Sequence, residues 1–232
     1  MLGIGISMTS RGVTSSGESF SPTDIAGLAG WYISDTGFVA ETSWEDQSEA
    51  GNDLTVSGAT VGSDLNGRAT VSFDGTNDGA TRDVFNLGTA GAVSIFAVCK
   101  INVGNIGRQV IAMYGDGAFD CHGFGGNPTT AHVINGVLSE NGTTNLSSAW
   151  NVVGTIQTDD ASTDYLYVNN AAEADQAGVG NVADDLLFAL GRYTGAAEWC
   201  KCQIAEVVVY AAALSSDDRA ALQTYFEEQW GL

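Results

Sequence analysis

The sequence contains little of what many common functions require. Its 232 residues include only 2 prolines, 2 histidines and 8 lysines plus arginines, against 28 aspartates plus glutamates. The resulting net charge of −20 repels the phosphate backbone and argues against nucleic-acid binding. Two histidines cannot supply a three-histidine metal site. No apolar run reaches the length of a membrane span, so the sequence predicts no membrane association.

Catalytic signatures are also missing. The sequence contains no G-x-S-x-G nucleophile elbow, no P-loop and no dinucleotide-binding glycine motif. The glycine-rich stretch from Gly123 to Pro128 precedes no predicted helix, so we expect no phosphate site there. Glu173 and Asp175 have a spacing that a β-sandwich glycosidase could use, but no aromatic residues flank them, and we expect both to be solvated or turn residues. The sequence therefore predicts a protein that is not an enzyme.

The four cysteines are compatible with zinc binding, with a disulfide or with free thiols. Cys200 and Cys202 are separated by one residue and would point the same way on a strand. Together with Cys121 and His122 they form a conceivable zinc ligand set. We favour buried free thiols or a single disulfide over zinc. Reduced thiols in particular are expected, because the first residues show no secretory signal.

What the sequence does contain is a β-protein pattern. From Ile25 onward, short apolar runs alternate with turn residues, and glycine alone accounts for 30 positions. In one run Tyr165 and Tyr167 face one way while Leu166 and Val168 face the other. No long helical periodicity precedes residue 215. The pattern predicts many antiparallel strands in a sandwich or barrel.

The chain ends on its one convincing helix, predicted over residues 215–230. A strand from Ile204 to Tyr210 leads into it, Ser215 is a favourable N-cap, and Asp218 completes an approximate capping box. The apolar residues of this segment share one helical face, which consists of Leu222, Tyr225, Phe226 and Trp230. We expect this stripe to pack on the edge or base of the sandwich.

Residues 1–21 differ from the rest of the chain. They are rich in Ser, Gly and Thr, show little periodicity, and lack the basic and apolar regions of a signal peptide. We interpret this segment as a flexible N-terminal arm and residues 22–232 as one folded domain.

Calcium is the candidate cofactor. Two turn-rich segments carry carboxylate and amide oxygens of the kind that calcium binds in loops. The predicted ligands are Asp46, Asn52, Asp74, Asn77 and Asp78. The same residue types also form ordinary turns without a metal, and both interpretations stay open.

Aromatic residues indicate where a sugar could stack. Trp44 lies in a polar stretch, which favours a position near the surface. Trp199 lies near Arg192 and Tyr193 in the chain, so these three could line one site. Trp44, Arg192, Tyr193 and Trp199 are the predicted ligand-binding residues, with packing in the core as the competing role for each tryptophan.

Four segments carry a resemblance to a known family. They are GLAGWYISDTG, WEDQSEAGNDLT, GRATVSFDGTND and the terminal IAEVVVYAAALSSDDRAALQTYFEEQWGL. Together they resemble concanavalin A-like lectin/glucanase domains of the laminin-G-like type, in the variety found in tailed-phage structural proteins and bacterial surface proteins. The resemblance covers residues 22–232. It departs from the family pattern at Glu45, which separates Trp44 from Asp46, and at Glu49 and Ala50.

The resemblance implies an all-β fold: a two-sheet antiparallel jelly-roll sandwich closed at its base by the C-terminal helix. Enzymes of that family carry an E-x-D-x-x-E-like strand, which this sequence lacks. The absence argues against glycosidase activity.

The leading hypothesis is a non-enzymatic virion structural protein of a tailed phage, either a capsid decoration or a fibre-like appendage. Made in the host cytoplasm, it would be anchored through residues 1–21 to other virion proteins, form a homo-oligomer and expose a lectin-like module. The second hypothesis is a carbohydrate-binding adhesin that recognises a host surface glycan, at the tail or on a cell surface.

Overall fold

A computed structural model of the chain describes residues 19–88, 91–103, 107–115, 122–127, 129–135, 138–158, 163–177, 182–193 and 198–232. Most of the predicted arm, residues 1–18, and Cys121 lie outside these described residues. Within them, no helix is long and apolar enough to cross a membrane.

The regular elements of the described residues are almost all strands. In chain order they are a short 3-10 helix (Pro22–Asp24), β1 (Leu28–Ile33), β2 (Phe38–Val39), β3 (Ser43–Trp44), β4 (Leu54–Ser57), β5 (Thr60–Val61), β6 (Val71–Asp74), β7 (Gly79–Phe85), β8 (Val93–Ile101), β9 (Gln109–Tyr114), β10 (His122–Asn127), β11 (Thr130–Asn135), β12 (Leu138–Asn145), β13 (Asn151–Gln157), β14 (Thr163–Val168), β15 (Ala171–Ala177), β16 (Leu186–Leu190), β17 (Arg192–Tyr193), β18 (Glu198–Trp199), β19 (Lys201–Tyr210) and α1 (Ser216–Trp230).

Two antiparallel sheets form a sandwich, which confirms the predicted fold class. The first has eight strands in the order β15-β14-β13-β8-β19-β6-β5, with β1 also paired to β19. The second has nine strands in the order β12-β11-β10-β9-β16-β7-β4-β3-β2. A separate two-stranded hairpin consists of β17 and β18. The inner faces of the two sheets bury one large apolar core between them.

The sandwich is tied together along one side by Glu173 of β15. Its carboxylate accepts hydrogen bonds from the backbone N–H groups of Thr143 (2.8 Å) and Thr144 (3.0 Å) in β12, and from the Thr144 hydroxyl. These two strands are the outer strands of different sheets, so the contact joins the layers. Glu173 is half-buried, so its carboxylate is partly solvated and also serves a structural role that the sequence did not indicate.

The glycine-rich stretch becomes strand β10, where glycine serves close strand packing. A Cβ atom on Gly123 would collide with the backbone of Ala112 in β9, and one on Gly125 with the backbone of Gln109. The pairing of these strands is irregular between Phe124 and Gly125. The glycines therefore allow a close backbone approach rather than a phosphate site.

Helix α1 lies across the outer face of the eight-stranded sheet. It begins after the N-cap Ser215, whose side chain accepts from the Asp218 N–H in a complete capping box, and it ends at Gly231 in the left-handed conformation. A second apolar cluster lies between the helix and the sheet, and its buried residues come from α1, from β8, β13 and β19, and from Ile25 and Leu214. The capping prediction and the apolar stripe are thus confirmed, whereas the expected position at the edge or base of the sandwich was wrong.

A buried carboxylate, Glu206 of β19, attaches the helix to the sheet. One of its oxygens accepts hydrogen bonds from the Trp31 indole N–H (2.6 Å) and the Tyr225 hydroxyl (2.9 Å). The other accepts from the Trp230 indole N–H (2.7 Å). A register shift in β19 between Ile204 and Glu206 marks the position where this side chain meets the helix layer.

Burial raises the pKa of Glu206, although the hydrogen bonds from Trp31, Trp230 and Tyr225 act in the opposite direction. The folded state therefore favours the protonated carboxyl more than the unfolded chain does. The stability that follows from this difference is fully present below the ordinary glutamate pKa of about 4.3 and is lost as pH rises through the raised pKa.

We predict that Glu206→Gln lowers the free energy of unfolding by about 1–3 kcal/mol near pH 5, because the amide N–H₂ cannot accept, whereas both carboxyl oxygens of Glu206 accept hydrogen bonds from the indole and phenol donors. The measurement is urea unfolding followed by tryptophan fluorescence. Glu228→Gln is the matched control, since Glu228 lies exposed on the same helix, and it should change stability little.

The difference between wild type and Glu206→Gln should shrink between about pH 5 and about pH 8, because only the wild type loses the contribution of the protonated carboxyl. A difference that grows with pH would show that the ionised form is the favoured one and would contradict the assignment.

Candidate ligand-binding face

The two outer faces of the sandwich differ. Helix α1 covers the eight-stranded sheet, while part of the nine-stranded sheet faces solvent. In β4, Leu54 and Val56 are buried in the core and Thr55 and Ser57 are exposed, as expected for a strand with one wet face. We call the outer surface of β2, β3, β4 and β7 the open face.

The β17–β18 hairpin covers the neighbouring part of the same sheet. Tyr193 is only 4% exposed and packs against a small apolar cluster from β9, β11 and β16. Arg108, just before β9, holds the hairpin: its guanidinium pairs with both carboxylate oxygens of Glu198 (2.8 and 3.1 Å) and lies 5.5 Å from the centre of the Tyr193 ring. The hairpin is therefore fixed to the sheet by a bidentate ion pair.

The other cross-strand pair of the hairpin is Arg192 and Trp199. The Arg192 guanidinium lies 4.8 Å from the centre of the Trp199 ring, and both side chains are half-buried. A Cβ atom on Gly79, the first residue of β7, would come within 2.5 Å of the Arg192 side chain. The missing side chain of Gly79 thus lets the arginine lie directly on the sheet beside its aromatic partner.

A cleft of about 360 Å³ lies on the open face next to this pair. Its lining consists of Thr55, Thr81, Arg82, Asp83 and Val84. Thr55 and Thr81 are directly paired across β4 and β7. Ala80 is buried in the core, so Gly79 and Thr81 share the outward face of β7 at a spacing of about 7 Å. The arginine–tryptophan pair and the cleft are therefore neighbours on one surface.

His132 of β11 lies on the same side of the sheet, because its neighbours Ala131 and Val133 face the central core. It is fully buried, and burial, with a smaller effect of Arg108, lowers its pKa to about 3. Within the described residues neither ring nitrogen has a hydrogen-bond partner. A histidine that stays neutral near pH 7 contributes no positive charge to this face.

The structure brings together three of the four predicted ligand-binding residues. Arg192, Tyr193 and Trp199 share the hairpin, as their positions in the chain suggested. Tyr193 supports the hairpin from below and is buried, so its ring is not available for stacking. Arg192 and Trp199 reach the surface, and their role in ligand binding stays a prediction.

Trp44 lies elsewhere, and the expectation of a surface position was wrong. The side chain is completely buried, its indole N–H donates to the Ile33 carbonyl (3.0 Å), and its ring makes edge contacts with Tyr32 and Phe38. The polar neighbours of Trp44 misled the prediction because successive residues of a strand point to opposite faces, and the Trp44 side chain points inward.

In the first predicted calcium segment, the oxygens already have protein partners. The Asp46 carboxylate accepts from the backbone N–H groups of Trp31, Ser48 and Asn52 and from the Ser48 hydroxyl, at 2.8–3.0 Å. The Asn52 side chain bonds the backbone of Asn86 and of Ala29. These residues hold the loop to β1 and to the end of β7.

The second predicted calcium segment is a tight turn before β7. Asp74 accepts from the Thr76 N–H (2.7 Å), Asp78 accepts from the Asp74 N–H (2.6 Å), and Asn77 is exposed. Burial raises the pKa of Asp78. Asn52 contacts the far end of β7, which is seven residues or about 20 Å long, so the two segments cannot form one site.

The geometry of these two segments adds no support to the calcium hypothesis. In the described parts of the chain, no three His, Cys, Asp or Glu side chains converge as a metal site would require. Of the three roles considered for the cysteines, the structure shows free thiols for Cys99, Cys200 and Cys202, all of which are buried. His122 instead contacts Asp164 (3.1 Å) inside the sandwich.

The zinc set would need His122 beside Cys202, and the register places them apart. His122 pairs with Tyr114 at one end of β9. The residue before Cys202, Lys201, is hydrogen-bonded through its backbone N–H to Gln109 at the other end. The intervening strand of six residues spans about 17 Å, so His122 and Cys202 do not share one site.

Sequence reasoning missed the cleft. Its two threonines are 26 positions apart, and they meet only because β4 pairs with β7. The signal that was present is the alternation of β4, in which Thr55 stands between buried Leu54 and Val56. Arg108 and Glu198 were also missed, because 90 positions separate them in the chain.

No protein-family model matches the sequence, and no curated protein sequence matches it. Solved structures do match its fold. A sialidase from Trypanosoma rangeli, in complex with difluorosialic acid, superimposes with a TM-score of 0.70 at 16% identity, over 94% of this chain and 35% of the sialidase. The chain thus spans about a third of that protein.

Two further matches are isolated modules. Domain 4 of AbnA, an extracellular arabinanase from Geobacillus stearothermophilus, was solved in complex with arabinotriose; it gives a TM-score of 0.63 at 15% identity, over 84% of this chain and 98% of that domain. The binding domain of Paraclostridial Mosquitocidal Protein 1 gives 0.64 at 10% identity, over 86% of this chain and 52% of that chain. At these identities the matches establish the fold.

We predict that calcium does not stabilise the protein and that Asp46→Asn lowers the free energy of unfolding by about 1–3 kcal/mol, because an amide cannot accept all four hydrogen bonds. Thermal unfolding with calcium and with a chelator measures both effects. Asp64→Asn, at an exposed position, is the matched control. A calcium-dependent rise in melting temperature that is lost in Asp46→Asn would restore the metal hypothesis.

Proposed function

We propose that this chain is a carbohydrate-binding module and that its binding surface is the open face together with the Arg192–Trp199 pair. The observation that carries the proposal is the position of this pair beside a cleft lined by threonine hydroxyls. Sugars present hydroxyl groups for such hydrogen bonds and apolar ring faces for aromatic side chains.

The size and rigidity of the surface support this proposal. The cleft of about 360 Å³ lies at the lower end of the range for small-ligand sites, about 300–1,000 Å³, and suits one or two sugar units. Its threonines lie on paired strands, and the hairpin is held by the Arg108–Glu198 ion pair. A binding surface on fixed strands loses little conformational entropy when a ligand arrives.

The likeness to the arabinanase domain solved with arabinotriose supports the same class of ligand. That domain has nearly the length of the matched region of this chain, so the comparison is between whole modules. The sialidase match covers about a third of its chain and does not say where that ligand lies.

We propose binding rather than hydrolysis. Glycosidases generally need two carboxyl groups that flank the scissile bond. Among the described residues the cleft is lined by one carboxylate, Asp83, and the nearby Glu198 is held by Arg108 through both oxygens. A panel of β-glucans and arabinans incubated with the protein tests this, and release of reducing ends would contradict it.

The virion location expected from the sequence is a separate proposal about where the module works. A lectin-like module on a phage particle would place the open face toward a host glycan. Mass spectrometry of purified particles from the source tests the location: many copies per particle support capsid decoration, few support a tail adhesin, and none contradicts both.

We predict that Trp199→Ala weakens glycan binding at least about tenfold, because one aromatic contact in a small site commonly carries this much affinity. A glycan array identifies a ligand, and calorimetric titration then gives the dissociation constants. Circular dichroism must show an unchanged fold.

Tyr165→Ala is the matched control, because Tyr165 is an exposed aromatic residue on the other sheet, beside a second cleft of about 380 Å³. Its loss should leave the affinity unchanged. Loss of binding in Tyr165→Ala but not in Trp199→Ala would move the site to the other sheet and contradict the proposal.

A further inference from the structure

Almost all of the arginines that the structure describes form hydrogen bonds or ion pairs within the protein. Arg68 and Arg108 each form a bidentate pair with a carboxylate. Arg82 and Arg219 each donate a hydrogen bond to a backbone carbonyl. Among the described arginines, Arg192 alone makes no hydrogen bond to another described residue, and its Nε is buried without an acceptor. With 28 acidic residues in the chain, the lack of a carboxylate partner is unexpected.

Arg192 is nevertheless held in place. Its aliphatic part lies on the backbone of Gly79, and its guanidinium lies over Trp199. Stacking fixes the plane of the guanidinium while its edge keeps the N–H groups that match a carboxylate or sulfate. A guanidinium that is fixed without an acceptor is arranged for an acceptor brought by a ligand.

The groups beside Arg192 are those that would hold the rest of such a ligand. Thr81 lies one outward position further along β7, about 7 Å from Gly79, and Thr55 is its cross-strand partner. A sugar unit whose acidic group meets Arg192 would place its ring over the two threonines. The threonine pair therefore lies at the next outward position from the glycine that the Arg192 side chain covers.

Resting on the carbohydrate-binding function proposed above, we infer that the module selects an acidic sugar, whose carboxylate or sulfate pairs with Arg192 while the ring lies against Thr55 and Thr81. The net charge of −20 repels densely charged chains at long range. The ligand is therefore an isolated acidic unit, at a chain end or in a sparsely charged glycan, rather than a polyanion.

The test compares glycans that differ only in the acidic group. The full chain is titrated calorimetrically with lactose, 3′-sialyllactose and 3′-sulfolactose. If a glycan array selects another neutral glycan, its neutral, carboxylated and sulfated forms are compared in the same way. We expect the acidic form to bind about 10–100-fold more tightly than the neutral form. The carboxylated and sulfated probes separate the two possible sources of charge.

Arg192→Gln should abolish this preference, so that the variant binds the acidic and the neutral form with equal affinity, whereas Arg192→Lys should keep part of it. Lys100→Gln is the matched control, because it removes the same charge from the eight-stranded sheet and should keep the full preference. If Arg192→Gln unfolds, the Arg192→Lys variant decides the question.

The outcomes separate the two proposals. Equal binding of acidic and neutral glycans would overturn the inference and leave the carbohydrate-binding function standing. A preference that survives in Arg192→Gln, or that is lost in Lys100→Gln, would also overturn it. Tighter binding of heparin than of the single acidic unit would contradict the selection against polyanions. Binding of no glycan at all would overturn the proposed function itself.

Discussion

The buried carboxylate of Glu206 is the interaction on which the arrangement of the layers depends. It is the common acceptor for two indoles and one phenol, which come from β1 and from the C-terminal half of α1. A buried carboxylate is costly without such donors, and an indole N–H is costly without an acceptor, so each side requires the other. The Arg68 guanidinium also lies 4.2 Å from the centre of the Trp230 ring. The last turn of α1 is therefore held by this contact as well as by the hydrogen bond to Glu206.

The position of this helix decides which faces of the sandwich can bind a ligand. With α1 on its outer side and the second sheet on its inner side, strand β8 is buried on both faces, and eight of its nine residues are buried. This explains why its sequence shows no alternation, which is otherwise typical of antiparallel strands. The nine-stranded sheet has no helix on its outside among the described residues, and there β4 alternates strictly. The open face beside the hairpin is the solvent-exposed sheet surface on which a polar ligand could bind.

Much of the fold could be predicted because its signals are local. The Ser215–Asp218 capping box, the helical stripe and the alternation around Leu166 each depend on residues a few positions apart. The position of the helix could not be predicted, since it depends on Glu206 meeting Trp31 across 175 positions of the chain. Similarly, Arg192 and Trp199 could be identified because one short hairpin contains both. The Thr55–Thr81 pair could not be identified, because the sequence of neither strand alone shows which strand it pairs with. Asp46 shows a third limit, since turn residues and calcium ligands have the same composition.

The charge of the protein bears on the site in a way that composition alone does not show. A chain with so few cations could place each of them in an ion pair, and Arg68 and Arg108 are used in this way, to fix the helix end and the hairpin. Arg192 has a different role. The Arg108 ion pair fixes Glu198, and Trp199 is the next residue in β18, so it is fixed as well. Arg192 stacks on the Trp199 ring and is thereby positioned through Arg108. One arginine therefore fixes the hairpin and the other is presented by it. That division of roles makes the hairpin a support for one arginine beside a cleft whose own lining includes Arg82 and Asp83.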